Sequence, residues 1–157
     1  MDHPVTQITT RYIMTAHVPL DPPHYVTREL QVFGVRPGSW VKGPGIEGEV
    51  IAPSGDWLRV SPAGTRRLDV RLCIRCKDGA VIFMSYAGRT RTPDRAAGRL
   101  QAGDTLGPDQ LYFVIAPMFE TSAPAYTWLN DIVAVGKIVS LNRTTDPQVT
   151  YDIFAAS

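Results

Sequence analysis

The sequence has little net charge, little histidine, two cysteines and no long apolar run, and each scarcity closes off a class of function. Its 157 residues hold 16 Lys and Arg against 15 Asp and Glu, a net charge of +1. A nucleic-acid partner normally leaves a basic excess, so none is expected. No apolar stretch approaches the roughly 20 residues of a membrane-spanning helix, so no membrane partner is expected. Met1-Asp2-His3-Pro4 carries neither the basic nor the apolar part of a secretion signal, which makes a cytoplasmic location the expectation. In that compartment the match of Asn142-Arg143-Thr144 to a glycosylation acceptor is idle.

The same scarcities bear on cofactors. Cys73 and Cys76 form a C-x-x-C, which reads either as a redox pair or half a zinc site, or as two small residues of a strand. Leu68, Val70, Leu72, Ile74 and Cys76 alternate with Asp69, Arg71, Cys73 and Arg75, the period of a strand. Positions three apart on a strand face opposite sides, so the two sulfurs are kept apart. No second Cys pair or His-x-x-x-His completes a metal site. The glycine cluster Gly43-Pro44-Gly45-Ile46-Glu47-Gly48 is followed by no Gly-Lys-Ser/Thr and no helical pattern, so it reads as a bend or bulge rather than a phosphate loop. His3, His17 and His24 all fall in the first 24 residues, where no Ser-His-Asp set is inferable. No cofactor and no metal are expected.

What the chain does have is turns and short extended segments. Glycine and proline number 13 each, about a sixth of the chain, which favours many short strands. Strand character runs over Gln7 to Val18, Thr27 to Val35, Glu49 to Ala52, Trp57 to Ser61, Leu68 to Lys77, Ala80 to Arg89, Leu111 to Thr121, Asp131 to Leu141 and Val149 to Phe154. The turn around Pro62-Ala63-Gly64 joins a hairpin, and Asp78-Gly79 joins another, with both central positions expected at positive φ. Helix is confined to Pro93 to Leu100, in a polar Arg91 to Gly107 loop suited to a lid or rim, and to a turn within Ala125 to Asn130. Both faces of Ala80 to Arg89 are largely apolar, and so little helix cannot cover a sheet. The expectation is one all-β domain over residues 1–157, a closed or nearly closed antiparallel β-barrel of about eight or nine strands with very little helix. One face of Ala80 to Arg89 would fill the interior; the other would pack on a flap or a second subunit, making a homo-oligomer, dimer or higher, the expected state.

The candidate chemistry lies in two regions. Asp69 and Arg71, two apart on a strand, share a face. If that face looks inward, Arg71 would hold an anionic or carbonyl oxygen and Asp69 would move a proton; the alternative is an ion pair tying strands together. Asp56 beside Trp57 and Glu120 beside Phe119 repeat one pattern, a carboxylate next to an aromatic, where apolar surroundings would raise a pKa. Asp56 also reads as a turn cap after Ser54-Gly55, and Glu120 as an ion-pair partner of Arg71. Tyr126 and Trp128 would wall a planar ligand if extended, or pack the core, and Asn130 would fix a carbonyl or start the next strand. The catalytic candidates are thus Asp69, Arg71 and Glu120, and the ligand-binding candidates Asp56, Trp57, Tyr126, Trp128 and Asn130.

Gly43-Pro44 with Gly48, Gly55-Asp56-Trp57, Leu68-Asp69-Val70-Arg71, Asp78-Gly79-Ala80, Gly88, Phe119-Glu120-Thr121 and Tyr126 through Asn130 follow in an order that resembles the bacterial and fungal domain-of-unknown-function family numbered 3237. The resemblance covers essentially the whole domain. It implies a barrel of calycin-like or allene-oxide-cyclase-like shape, usually self-associating, with some members acting on polyketide-type or aromatic molecules in cofactor-free cyclisation. The family has no agreed catalytic set, so only the recurrence of Asp56, Trp57, Asp69, Arg71, Glu120, Tyr126 and Trp128 carries over. The functional expectation is a small-molecule-binding barrel, as a cofactor-free isomerase or cyclase using acid/base chemistry, or alternatively a lipocalin-like carrier. A third reading is a barrel filled by its own side chains. The ligand readings depend on the acid–arginine face looking inward onto vacant space.

Overall fold

Along residues 66–76 the apolar alternation decides which side of the chain is inside. Leu68, Val70, Leu72, Ile74 and Cys76 are buried, while Asp69, Arg71 and Arg75 are exposed. An interior that must exclude water takes the apolar row, because each aliphatic side chain buried there contributes about 1.5–3 kcal/mol and an ion pair moved inside would lose most of its attraction to desolvation.

The computed structural model describes residues 7–157. His3 and the expectation resting on Met1-Asp2-His3-Pro4 fall outside the described residues. The described residues form ten strands: β1 (Thr10–Pro19), β2 (His24–Tyr25), β3 (Leu30–Gly34), β4 (Trp40–Gly43), β5 (Ile46–Val60), β6 (Arg66–Cys76), β7 (Val81–Arg91), β8 (Tyr112–Glu120), β9 (Val133–Asn142) and β10 (Gln148–Ala156). Eight form the closed antiparallel barrel, in the order β4-β1-β10-β9-β8-β7-β6-β5, with β5 pairing both β6 and β4. The other two, β2 and β3, form a flap. β5 is long enough that its first residues pair β4 and Gly55 to Arg59 pair β3. Arg36 ties the flap base to the β9–β10 turn, donating to the carbonyls of Leu20 and Pro147 and to Asp146.

Several expectations are corrected here. The Pro53-Ser54-Gly55 stretch is not a turn between two strands but an irregularity within β5, where the β5–β6 register shifts between Ile51 and Gly55. Ser54 fills the gap in the ladder: its hydroxyl donates to the Ile51 carbonyl and accepts the Cys73 N–H. In the β6–β7 turn only Gly79 has positive φ, at 88°. The Gly79 N–H returns to the Cys76 carbonyl, and Cys76 donates to Ala80, a type I turn closed by a glycine bulge. His24–Tyr25 pairs with β3 despite the prolines before it. In the glycine cluster, a Cβ on Gly43 would lie 2.1 Å from the Ile13 carbonyl oxygen, so close approach of two backbones demands glycine there.

The two ends of the barrel differ. At one, a 3-10 turn (Thr127–Asp131) follows β8 with Leu129 fully buried, and Met14, Ile82, Met84 and Ile153 are fully buried on that half of the strands. That half is packed by the protein's own side chains. At the other, α1 (Asp94–Gln101) lies across the rim with Ala96 and Leu100 buried, and a cavity remains beneath it. The outer face of β7 stays open at Val81, which is 48% exposed; the flap lies against β5 instead.

Candidate functional site

Of the eight residues singled out in the sequence, one lines the cavity. Asp69 and Arg71 stand on the outer wall, paired with each other at 3.5 Å, and Arg71 lies over the Trp57 ring 5.4 Å from its centroid. The expectation that this face looks inward is corrected, and its physical reason is the apolar row of β6 described above. Glu120 ends β8 on the exposed side, out of Arg71's ion pair. Trp128 is partly exposed beneath Arg11. Asn130 locks a loop: its side-chain oxygen accepts the Thr121 N–H and its amide donates to the Thr121 carbonyl, both at 2.8 Å. Tyr126 is buried at the packed end, donating to Asp78 at 2.6 Å, and that bond pushes its own pKa up to about 12. Thus Tyr126 and Trp128 do not together wall the cavity, whose lining includes neither.

Asp56 is the residue that does face the cavity, a space of about 390 Å³ at the α1 end, of a size that takes a small organic molecule. Its walls are largely apolar, from Leu58, Leu68, Val70, Leu72 and Phe113, with Tyr25 and Phe33 contributed by the flap. Tyr86 and Tyr151 form its aromatic floor, set edge to face at 5.7 Å between centroids, with Phe113 edge-on to Tyr151 at 5.5 Å. Burial holds both tyrosine hydroxyls well above their ordinary pKa.

Burial also raises the Asp56 pKa, from an ordinary 3.8 to about 7. The Asp69 N–H, donated at 3.2 Å, works against that rise, the Asp69 charge adds to it, and Arg66 opposes it weakly. No arginine pairs with Asp56 among the described residues, whose ion pairs are Arg36–Asp146, Arg71–Asp69, Lys77–Glu47 and Arg99–Asp104. A carboxyl half-ionised near neutrality can both give and take a proton. Sequence reasoning missed further polar groups here, among them Arg66, Thr90 and Arg143. A signal existed for the first, since Arg66 has the phase of Leu68, Val70 and Leu72. Arg143, just past the end of β9, has no such pattern to reveal it.

No cluster of three metal-binding side chains occurs among the described residues, and no helix among them is long and apolar enough to cross a membrane. Cys73 and Cys76 are both free thiols, with Cys76 buried. Asn142 of the glycosylation-like triplet is 4% exposed and spends its side chain on the loop that follows it.

Comparison with known proteins agrees with this architecture. A family described as "Protein of unknown function (DUF3237)" matches residues 8–156. A UPF0311 protein of Rhodopseudomonas palustris (strain TIE-1) is 32% identical over 99 residues, 63% of this chain. The chain spans 65% of that relative's length. The crystal structure of a conserved protein of unknown function from Rhodopseudomonas palustris superposes with a TM-score of 0.83 at 24% identity, over 98% of this chain and all of that one. An enzyme from Penicillium herquei superposes with a TM-score of 0.69 at 18% identity, over the whole of both chains. At these identities the structural likeness is one of fold.

Proposed function

The chain belongs to the DUF3237 family, and from its cavity we propose that it binds a small aromatic or polyketide-like molecule and moves a proton on it without a cofactor, as an isomerase or cyclase does. One observation carries this reading: Asp56 is a carboxyl facing a largely apolar cavity, unpaired with any arginine among the described residues and lifted to about 7. At that value the group is a competent base and a competent acid at the same pH, so one residue can take a proton from carbon or hydroxyl and return it elsewhere. The aromatic floor of Tyr86 and Tyr151 suits a flat ligand, whose ring would lie between the floor and the Phe33 side of the flap. Holding the reacting atom against Asp56 in a space closed by α1 supplies orientation and keeps water out. The roles first considered for Asp69, Arg71 and Glu120 find no support in this geometry.

Proton exchange tests it directly. Enolisable aryl ketones and polyketide-like diketones are incubated in heavy water with the protein, and deuterium uptake beside the carbonyl is followed by NMR. Uptake faster than in buffer, lost in Asp56→Asn, is the expected result. A protein that binds such probes but leaves their exchange rate unchanged would instead be a carrier, the reading that the apolar lower walls of the cavity favour.

A further inference from the structure

The cavity has a polar mouth that the proton chemistry above does not use. Arg66 and Thr90 sit directly opposite one another on β6 and β7, and Thr90 is opposite Phe113 on β8. All three line the cavity, as does Arg143 from the loop after β9. Neither Arg66 nor Arg143 belongs to an ion pair among the described residues. Burial lowers the pKa of both, and the charge of Arg66 adds to the lowering of Arg143, to about 10. Thr90 is 3% exposed, and its hydroxyl has no hydrogen-bond partner. Two like charges and an unsatisfied hydroxyl drawn to one rim are unfavourable for folding, and an anion would satisfy all three.

We infer that the ligand carries a carboxylate head, held at the mouth between Arg66 and Arg143 with the Thr90 hydroxyl as a further donor, and a flat apolar body that reaches down toward Tyr86 and Tyr151. This rests on the reading of the same cavity as a ligand site. The surroundings of these donors favour one class of anion. Phosphate sites are usually built from free backbone N–H groups or a helix N-terminus. Here the N–H groups of Thr144 and Asp146 are already taken by the Asn142 side-chain oxygen. The helix over the cavity presents Ala97, Leu100 and Gln101, from its middle and C-terminal end, which repels a dianion. Side-chain donors alone remain; guanidinium forks grip carboxylate and phosphate alike, so it is the helix end's repulsion of a dianion that favours a singly charged carboxylate. Asp56 pairs with Val70, four residues below Arg66, a separation of about 13 Å along the strand. That spacing is between backbones, and the Arg66 side chain reaches far enough for its charge to act on Asp56, so head and reacting centre are neighbouring but distinct parts of the ligand.

Titration calorimetry with 1-naphthoate, 1-naphthamide and 1-naphthyl phosphate as probes tests this at about pH 8. The expected result is that naphthoate binds at least about tenfold more tightly than the neutral amide or the phosphate ester. Its affinity should fall with added salt, and Arg66→Gln and Arg143→Gln should each weaken it about tenfold or more. Melting curves accompany the variants: midpoints unchanged or raised without ligand show that the arginines serve binding and not the fold. Equal affinity for naphthoate and naphthamide, or arginine variants that bind naphthoate as the parent does, overturns the carboxylate assignment and leaves the cavity reading standing. Tighter binding of the phosphate ester overturns it in favour of a phosphate head. If no probe binds and no ligand accompanies the purified protein, both readings fall.

Discussion

Asp56 accepts a hydrogen bond from the backbone N–H of Asp69 at 3.2 Å, while the two carboxyl groups lie on opposite sides of the barrel wall. The β5–β6 register pairs Asp56 with Val70 and next pairs Arg59 with Arg67; in that interval a side chain takes a donor of the neighbouring strand. Asp56 thus has a structural duty alongside any chemical one. Replacement by Asn keeps an acceptor for the Asp69 N–H, whereas replacement by Ala strands that donor.

The pH dependence of stability follows from the direction of the Asp56 shift. Its folded pKa of about 7 lies above the ordinary 3.8, so the folded state binds the proton more tightly. The contribution favouring the fold is fully present below about pH 4, declines as pH rises toward 7, and is gone above it. Urea unfolding of the parent and Asp56→Asn across this range should show the parent losing on the order of a few kcal/mol relative to the variant. A difference that stays flat between pH 4 and 8 would remove the premise that Asp56 sits in an apolar cavity without an arginine partner.

Arg71→Ala should leave both cavity binding and fold almost intact. Arg71 touches Trp57 and Asp69 on the outside of the wall, where an exposed pair contributes about 0–1 kcal/mol. Thermal melts and the naphthoate titration read the two effects separately; a large loss of affinity with an unchanged melt would return Arg71 to the site.

Leu129→Ala should destabilise by about 2–5 kcal/mol, since a fully buried side chain at the packed end would leave a hole its neighbours only partly fill. Probe binding at the α1 end should persist in the folded fraction. Loss of binding in fully folded protein would mean the two halves of the barrel are coupled.

Gly43→Ala should fail for a different reason. The added methyl would meet the Ile13 carbonyl oxygen at 2.1 Å, and backbone cannot step aside as a flexible side chain can. Soluble yield and melting midpoint should both drop, while Gly45→Asn, at a φ of 74° with open space around it, should be tolerated.

Much of the barrel was legible one strand at a time. Leu68 through Cys76 announced a strand by alternation, Gly64 and Gly79 marked its two turns, and the shortage of helix left closure as the way to cover so much apolar surface. The pairing that completes the barrel was not legible. It depends on β5 running unbroken through Pro53 and Ser54, with Ser54 and Asp56 supplying acceptors that no local pattern signals.

By itself the sequence determined the class of fold, because a period of two and a high turn content are local properties that each segment carries whatever surrounds it. Only the tertiary structure decided which polar groups share a space. Asp69 and Arg71 are neighbours on one strand and end up outside, whereas Asp56, Arg66, Thr90 and Arg143 come from four separate stretches and line one cavity. The reason is that water excludes the apolar row of every strand toward a common axis, and the few polar side chains in phase with those rows are carried in with them.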